Sequence, residues 1–549
     1  MPGWLIQLII AVVSAAVSYF ASRPKTPDAQ EFQGPIAEAG NPIPVWWGTA
    51  MVSPNTVLFT NVAKAKRKQW FYFMSAQHLL GWGIVNEILD ISFADKSCRN
   101  HVTGTGQDVV LAGSVVNAGT PSEFPICGNN NAHATDSIDP MFGGDDQAGG
   151  VGVDTTSSGD DLKKGQLCMY WGFDDATAQP LDPFLASSDA YGATCSRWPR
   201  FAYLRMGHQD GHPFYIAAAS ATPPAMKVLC RRTAWWDGVI AGDPSPLGQS
   251  ASEATIRYDA NPAEILYDLL THKGYGLGRD PASIDVDSFA AAAVTLREEV
   301  ICTGKTGFGI SVLLTQATDA GTVIRGILDC VMGTLATNPL TGKLRLKLVR
   351  ADYVVADLPQ LHAGNTWGVK FSPGTWAETF NEVSVTYRRL INTSNTRDFV
   401  DDIVTAQDLA NFQATGRIRA LKLDMPYVTD ADVAALCAAR ARRAHSSPLA
   451  RYAWTMNREG FALMQGDAVH AVETAFNADL ILRVTQINYG SLEQGEIVCE
   501  GMEDVFGIAA PSVSASTTGF VEPTVTSTDG SGGSVPSAAA GIVWGEGFY

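Results

Sequence analysis

The chain has 549 residues, which is too long for a single hydrophobic core and predicts three or four domains. Its 46% apolar and 17% charged residues are typical of a folded protein and exclude a largely disordered one. The formal net charge of −17 argues against a protein that reads nucleic-acid sequence through a basic face, although an acidic wall is compatible with DNA sliding past.

Nine cysteines are scattered along the chain, and no two have the Cys-x-x-Cys spacing of common zinc and iron–sulfur sites. Their odd number in a long chain predicts reduced thiols and assembly in a cytoplasm. No cofactor is expected. The cysteines are Cys98, Cys127, Cys168, Cys195, Cys230, Cys302, Cys330, Cys437 and Cys499.

Residues 4–20 are apolar except for Gln7, Ser14 and Ser18, which predicts a helix about 25 Å long at ~1.5 Å per residue. Such a helix must be buried in protein or lipid because it is apolar on nearly every side. Its length is near the lower limit for crossing a bilayer, and the preceding residues lack the positive charge of a signal peptide. A helix cluster in an oligomer and a membrane anchor both fit. The candidate assembly or membrane residues are Trp4, Leu5, Leu8, Ile9, Ala11, Val12, Ala15, Tyr19 and Phe20.

Residues 35–99 alternate short apolar runs with Pro and Gly, which is the pattern of strands joined by turns. A basic segment at residues 64–68 precedes an aromatic run at residues 70–74, which predicts a hairpin with a solvated basic tip. We expect a small β-barrel or sandwich here, to which the β-rich residues 226–254 return.

Residues 100–225 are rich in Gly and Asp and contain short β runs, which predicts a β-rich insertion. His208, Asp210 and His212 would share one face of a strand and there offer ligands to a metal, but the neighbouring glycines favour a polar turn. Three acidic pairs are adjacent in sequence, which favours turns over the separated carboxyls of a glycosidase. These pairs are Asp145 with Asp146, Asp160 with Asp161, and Asp174 with Asp175.

The stretch at residues 261–278 predicts a short packed helix. Asn261 is expected to cap its N-terminus, Pro262 to occupy the first helical position, and Glu264 to bond back to the cap as in a capping box. Gly274 is expected to end it in a left-handed conformation. The apolar stripe is Ile265, Leu266, Leu269 and Leu270.

Two more helices are predicted, at residues 285–301 and 319–332, followed by a hairpin at residues 334–350. The buried face of the first is expected to hold Phe289, Ala293, Leu296 and Val300. The buried face of the second is expected to hold Val323, Ile324, Ile327, Leu328 and Val331.

The next segment predicts a strand at residues 380–387 and a helix at residues 430–445 that Thr429 caps. Arg440, Arg442 and Arg443 are expected to form a solvated or interface face near the end of that helix. Further strands are predicted at residues 452–456, 468–472 and 480–488.

From residue 510 the chain is rich in Ser, Thr, Pro and Gly, which predicts a flexible linker. An aromatic segment follows at residues 541–549. It fits a docking peptide for a neighbouring protein and equally a frayed tail. The candidate docking residues are Trp544, Phe548 and Tyr549.

Several of these segments resemble the tail-tip hub proteins of long-tailed phages, namely the lambda-type tip attachment proteins and their relatives in siphophages, Mu-like phages and gene transfer agents. The resemblance rests on N-P-A-x-x-L-Y-D-L-L-T followed by Y-G-L-G from residue 261, and on I-P-V-x-x-G-T from residue 43. F-G-G-D-x-x-x-G-G from residue 142 and P-x-F-A-Y-L from residue 199 add to it. It covers residues 35–507.

The resemblance implies an α+β, mainly β, multidomain hub with two similar β-barrels, a β-rich insertion and an α/β domain. The expected parts are 1–34, apolar helix and linker; 35–99, first barrel; 100–225, insertion; 226–254, first barrel completed; 255–375, α+β domain; 376–508, second barrel; and 509–549, flexible tail.

The resemblance also implies a structural protein of the virion, assembled in the host cytoplasm and not an enzyme. It would be a baseplate or tail-tip hub, a homotrimer that joins the tail tube to the tip and gates DNA ejection during attachment and entry. The expected partners are distal tail and tail-tube proteins, the tape-measure protein, other tip or receptor-binding proteins, DNA that passes without specific binding, and the host membrane through residues 4–20.

Two other functions fit parts of the sequence. The acidic pairs motivate a cell-wall hydrolase carried on the tail, and residues 4–20 alone motivate a membrane-anchored bacterial protein. Neither explains the helix at residue 261 or the barrel segments, so the structural hub is the leading hypothesis.

Overall fold

The computed structural model places two neighbouring cores and a C-terminal sheet between residues 41 and 506, and a short hairpin beyond them. The predicted helix at residues 4–20, the docking residues 541–549, the His208 cluster and the acidic pairs lie outside the described residues. The described residues are 41–66, 70–93, 96–97, 111–112, 122–125, 166–173, 181–182, 185–186, 191–206, 214–218, 225–236, 239, 243–392, 397–473, 478–491, 493, 495–506, 524–528 and 534–538.

The strands of the first half are β1 (Val45–Val52), β2 (Asn55–Lys66), β3 (Trp70–Trp82), β4 (Glu87–Phe93), β5 (Lys96–Ser97), β6 (Leu111–Ala112), β7 (Ser122–Pro125), β8 (Gln166–Trp171), β9 (Phe201–Met206), β10 (Phe214–Ala218) and β11 (Met226–Arg232). They are followed by α1 (Ala251–Ala254), β12 (Thr255–Ile256), β13 (Asp259–Ala260), α2 (Pro262–Thr271), α3 (Val286–Glu298), β14 (Val300–Cys302), β15 (Lys305–Thr306), β16 (Val312–Leu314), α4 (Ala320–Val331), β17 (Gly333–Thr337) and β18 (Leu344–Leu348).

The remaining elements are β19 (Gln360–Leu361), β20 (Thr366–Ser372), β21 (Glu382–Asn392), β22 (Arg397–Gln407), α5 (Leu409–Thr415), β23 (Ala420–Met425), α6 (Ala431–His445), β24 (Arg451–Met456), β25 (Ala468–Glu473), β26 (Ala478–Asn488), β27 (Ile497–Glu503), β28 (Thr524–Thr528) and β29 (Ser534–Ala538). The predicted α+β, mainly β, class is confirmed.

Two six-stranded sheets form the N-terminal part. One has the order β16–β1–β11–β4–β5 with β6 beside β4, and the other has the order β10–β3–β9–β8–β7 with β2 beside β3. Apolar residues of both sheets, such as Ile88 and Val228 from one and Met74 and Leu204 from the other, share one core. The predicted hairpin is confirmed, since Lys66 pairs with Trp70 at the end of β2 and β3.

Strand β1 lies between two cores, because neighbouring side chains of a strand point to opposite faces. Trp46 is fully buried in the core of the two N-terminal sheets, whereas Trp47 is fully buried in a second core. The backbone of β1 also passes very close to Ser311, the residue before β16. A Cβ on Gly48 would lie 2.2 Å from Ser311 Oγ, and the φ of Gly48 is +76°, so only glycine fits there.

The second core combines helices α2, α3 and α4, the hairpin β17–β18, and the sheet β22–β21–β23 with α6 packed against it. The predicted apolar stripes of α2 and α4 are confirmed. The prediction for α3 is wrong at one residue. The helix ends at Glu298, and Val300 belongs to β14, where it is 66% exposed.

The C-terminal sheet has the order β19–β25–β26–β27–β24–β20. It encloses a third core that includes Trp454, Val469, Val484 and Cys499. The three strands predicted at residues 452–456, 468–472 and 480–488 are confirmed as β24, β25 and β26. β19 and β20 precede β21 in the chain and nevertheless form the two edges of this sheet.

Candidate functional site at the joint between two cores

Helix α2 begins with the predicted Asn261 cap but lacks the predicted bond from Glu264 back to that cap. The side chain of Asn261 accepts a hydrogen bond from the N–H of Ala263 at 3.0 Å and donates one to the carbonyl of Ala293 at 2.9 Å. The predicted capping box is wrong. Glu264 is 2% exposed and accepts a hydrogen bond from Ser245 at 2.5 Å, because it faces the loop before α1.

The end of α2 also differs from the prediction. The helix ends at Thr271 and His272 is extended, whereas Gly274 has no left-handed conformation. Glycine is needed here for space. A Cβ on Gly274 would lie 2.7 Å from the ring of Trp82, and one on Gly276 would lie 2.5 Å from the carbonyl oxygen of Leu269.

Asp268 holds the helix and the following loop to β1. Its Oδ2 accepts a hydrogen bond from Trp47 Nε1 at 2.8 Å and another from the hydroxyl of Tyr275 at 2.7 Å. Trp47 and Asp268 are 221 residues apart in the chain. We name the group Trp47, Arg232, Asp268, His272 and Tyr275 the Asp268 joint.

A buried arginine completes the Asp268 joint. Arg232 is 1% exposed, and it donates to the hydroxyl of Tyr275 at 3.1 Å and to the carbonyl of Trp46 at 3.2 Å. Its guanidinium lies 5.7 to 6.0 Å from the ring centroids of Trp47, Trp235 and Tyr275, within the range of cation–π attraction. The joint therefore combines hydrogen bonds, charge and aromatic packing.

Two groups of the Asp268 joint, His272 and Tyr275, have pKa values shifted away from neutral pH. Burial lowers the pKa of His272 to about 4, with Arg232 and Arg200 adding to the effect. Burial, with Asp268 next, raises the pKa of Tyr275 well above its usual value. His272 is thus neutral at pH 7 and stacks on Tyr275, with ring centroids 3.6 Å apart.

A second polar contact lies beside Thr49 of β1. Asp259 accepts hydrogen bonds from the hydroxyl of Thr429 at 2.8 and 2.9 Å and from the hydroxyl of Ser311. Ser311 in turn accepts one from the N–H of Thr49 at 2.8 Å. The predicted cap of α6 is wrong, because Thr429 binds Asp259 and the neighbouring Asp430 caps the helix.

Arg440 and Arg442 of α6 form specific ion pairs instead of the solvated or interface face that the sequence predicts, whereas Arg443 is exposed as predicted. Arg440 and Arg350 both pair with Glu299, whose side chain is 9% exposed. Arg442 pairs with Asp408 at 2.9 Å. Arg443 lies over the ring of Phe506, 5.2 Å from its centroid. These contacts tie α6 to three separate segments.

A cleft of about 490 Å³ lies where the hairpin β17–β18 meets the C-terminal sheet. Tyr353, Asp467 and Arg483 are among the residues that line it. Asp504 accepts hydrogen bonds from Arg483 and Tyr353 at 2.7 Å each, and Asp467 pairs with Arg345 at 3.4 Å. Within the described part of the chain, no group of three or more His, Cys, Asp or Glu side chains is arranged to hold a metal ion.

No described helix is long and apolar enough to cross a membrane. The candidate residues of segments 4–20 and 541–549 are not among the described ones, so their roles stay predictions.

Trp47 and Arg232 were missed by the sequence reasoning. Two consecutive tryptophans in a strand were a usable signal for Trp47, because they require burial of both faces.

The buried carboxyl of Glu264 gives a testable pH dependence. Burial, opposed by the Ser245 hydrogen bond, raises its pKa to about 7. A raised pKa in the folded state contributes stability that is complete below about pH 4.5 and is lost as pH rises through 7, by about 3 kcal/mol for one group. We therefore expect the free energy of unfolding of Glu264→Gln, relative to that of the wild type, to rise by about 3 kcal/mol as the pH increases from 4.5 to 8.

Chemical denaturation at several pH values measures this difference. Comparison of variant with wild type cancels His272, whose lowered pKa acts in the opposite direction. Glu298→Gln is the matched control, because the Glu298 side chain is 68% exposed, and it should follow the wild type. A constant difference between Glu264→Gln and the wild type across this range would contradict the assignment.

Comparisons with known proteins give one family match. Residues 319–487, from α4 to β26, match the family model of a putative phage tail protein. A search of curated proteins gives no match.

Solved structures give several likenesses at low identity. A chain of the virion of a native gene transfer agent particle is 13% identical, with 92% of this chain and 99% of that one covered and a TM-score of 0.45. The 43 kDa tail protein of prophage MuSo2 from Shewanella oneidensis is 12% identical, with 65% and 88% covered and a TM-score of 0.28. A tail protein from Neisseria meningitidis MC58 is 11% identical, with 52% and 76% covered and a TM-score of 0.28.

Proposed function

We propose a specific place and task for this chain in the virion, starting from its identity as a phage tail protein, which rests on residues 319–487. The proposal is that it forms the hub of the tail tip or baseplate of a siphophage-like particle. Three copies would join the tail tube to the tip and gate DNA ejection during attachment and entry. The barrels and domain boundaries expected from the sequence are part of this proposal.

The Asp268 joint is the observation that best supports a mechanical role. It connects β1, the end of β11 and helix α2 through side chains that are mostly buried and hydrogen-bonded to one another. Asp259 connects β13, β16 and the start of α6 in the same way. Buried polar groups that hydrogen-bond to one another favour one arrangement of the elements that they join. A tip component that transmits force needs such fixed joints.

The proposed partners are further copies of the chain, the distal tail and tail-tube proteins, the tape-measure protein and other tip proteins. Oligomers of this kind close around one symmetry axis and bury complementary surfaces. Native mass spectrometry of the protein, alone and with its tail partners, tests the stoichiometry. We expect three copies per assembly, and one copy in every assembly would contradict the trimer.

Residues 4–20 are proposed to form a helical cluster at the axis of the hub, in contact with the tape-measure protein or as a plug, and to meet the host membrane after release. Ala11 and Ala15 are four residues apart, which lets helices approach closely. We expect removal of residues 1–22 to leave a folded hub but to reduce particle assembly or DNA ejection. Particles of normal number and infectivity would contradict this role.

DNA is proposed to pass the hub without specific binding. A net charge of −17 provides little to neutralise phosphates, and phosphate neutralisation supplies most non-specific affinity for DNA. We expect negligible binding of duplex DNA by the isolated protein at physiological salt, measured by fluorescence anisotropy. Micromolar, salt-sensitive binding would contradict an acidic channel wall.

A tail-associated cell-wall hydrolase is the alternative function. A zymogram on host peptidoglycan separates the two, since a hydrolase clears the gel and a purely structural hub does not. We expect no clearing. The matched positive lane is a known muramidase at equal protein mass.

A further inference from the structure

Four large apolar side chains are exposed on helix α5 and on the segments hydrogen-bonded next to it. They are Trp376, Leu409, Phe412 and Ile418, with exposed fractions of 51%, 47%, 40% and 63%. We name this group the α5 patch. Isolated exposed apolar residues are common, but a contiguous group of large ones marks an interaction surface.

Hydrogen bonds show that the segments of the α5 patch form one surface. Arg419 donates to the carbonyl of Trp376 at 3.1 Å, and Asn411 donates to the hydroxyl of Thr379 at 2.8 Å. Asn381 donates to the carbonyl of Arg417 at 2.8 Å and is itself buried. The two segments that carry the patch are thus fixed before any partner arrives, which lowers the entropic cost of binding.

The rim of the α5 patch has an excess of positive charge. Of the acidic groups nearby, Glu378 pairs with Arg451 at 3.3 Å, Asp408 pairs with Arg442 at 2.9 Å, and Glu382 accepts a hydrogen bond from Gln407 at 2.9 Å. Among the described residues, Arg417 and Arg419 have no carboxylate partner. The chain as a whole carries −17, so this patch is a basic spot on an acidic protein.

The α5 patch continues into a strand edge. Ile418 and Arg419 lead directly into β23, and among the described strands β23 pairs with β21 alone. An edge strand has a row of backbone N–H and C=O groups that a second chain can bind. The surface therefore presents apolar side chains, arginines and a strand edge next to each other. Trp and Arg are enriched among the residues that dominate binding energy.

We propose that the α5 patch docks a second copy of this chain through an acidic part of that copy's surface. The charge favours this occupant, because a chain of net charge −17 complements Arg417 and Arg419, which have no carboxylate partner among the described residues. The contact joins two different surfaces, and such head-to-tail contacts close into rings when repeated. The inference rests on the homo-oligomer of the proposed function and names the surface that forms it.

Site-specific photo-crosslinking in assembled particles tests the docking. A benzoylphenylalanine in place of Phe412 should give an adduct of two copies of this chain. The same residue in place of Leu340, which is 64% exposed on the β17–β18 turn, gives the background. An adduct with a different protein would overturn the second copy as occupant, and no adduct above background would overturn docking at the patch.

Introduction of a negative charge at the patch gives an independent test. Ile418→Glu changes an exposed residue, so the variant should fold as the wild type does by circular dichroism, yet associate at least tenfold more weakly in native mass spectrometry. Leu340→Glu should associate normally. Normal trimers of Ile418→Glu would overturn the proposed surface and leave the trimeric hub intact, whereas a wild type that is monomeric in every assembly would overturn both.

Discussion

Leu269→Asp is expected to destabilise the protein by about 4 kcal/mol or more. Leu269 is 4% exposed in the core that joins α2, α3 and α4. The substitution removes a packed side chain, which costs about 2–5 kcal/mol in a core, and buries a charge with no partner. Urea unfolding followed by tryptophan fluorescence measures the loss.

Two further variants are needed to interpret the result for Leu269→Asp, a milder core substitution and a surface control. Leu269→Ala should cost about 3 kcal/mol and keep a measurable folded state if the aspartate variant does not fold. Leu277→Asp is the matched control, because Leu277 is 49% exposed just beyond the same helix, and it should cost less than about 1 kcal/mol. Near-native stability of Leu269→Asp would show that this face of α2 is not part of the core.

Asp268→Ala is expected to cost about 3 kcal/mol. It leaves the indole N–H of the fully buried Trp47 and the hydroxyl of Tyr275 without their acceptor, and each unsatisfied buried donor costs about 1–3 kcal/mol. It also removes the carboxylate that, like the buried Arg232, bonds to the hydroxyl of Tyr275. Urea unfolding again measures the effect.

Asp268→Asn separates the hydrogen bonds from the charge. An asparagine oxygen still accepts from both donors, so we expect a smaller loss of about 1 kcal/mol. Asp287→Ala, on the exposed side of α3, is the surface control and should cost less than about 1 kcal/mol. Equal losses for the alanine and asparagine variants would show that charge, and not hydrogen bonding, holds the joint.

Local elements were largely predictable from the sequence. Helix α2 follows from Asn261, Pro262 and a leucine stripe, because a cap and a 3.6-residue period are written within ten residues. The hairpin β17–β18 and strands β24 to β26 follow from alternation in the same way. These signals are local, so they can be recognised without knowing which residues each element packs against.

The errors arose where a distant residue competed with a local rule. Glu264 has the spacing of a capping box, yet Ser245 offers it a bond inside the core. Thr429 is a good N-cap residue, yet the buried Asp259 binds its hydroxyl and leaves the cap to Asp430. In both cases tertiary contacts overrode a local preference.

The Asp268 joint could not be predicted from local patterns. Its partners come from β1, β11 and the loop after α2, and Trp47 and Asp268 are separated by 221 residues. The Y-D and Y-G-L-G parts of the motif have a physical explanation only in the structure. Asp268 and Tyr275 share the bonds to β1 and Arg232, and Gly276 makes room for the backbone of α2. Gly274, just before Y-G-L-G, makes room for Trp82.

The most direct test of the central claim is the position of this chain in the particle. Immunogold labelling with an antibody to the chain, imaged by electron microscopy of purified particles, measures that position. The tail-tip hub proposed here predicts label at the distal end of the tail only. Label along the tail tube, at the head–tail junction, or absent from intact and tip-disrupted particles alike would contradict it.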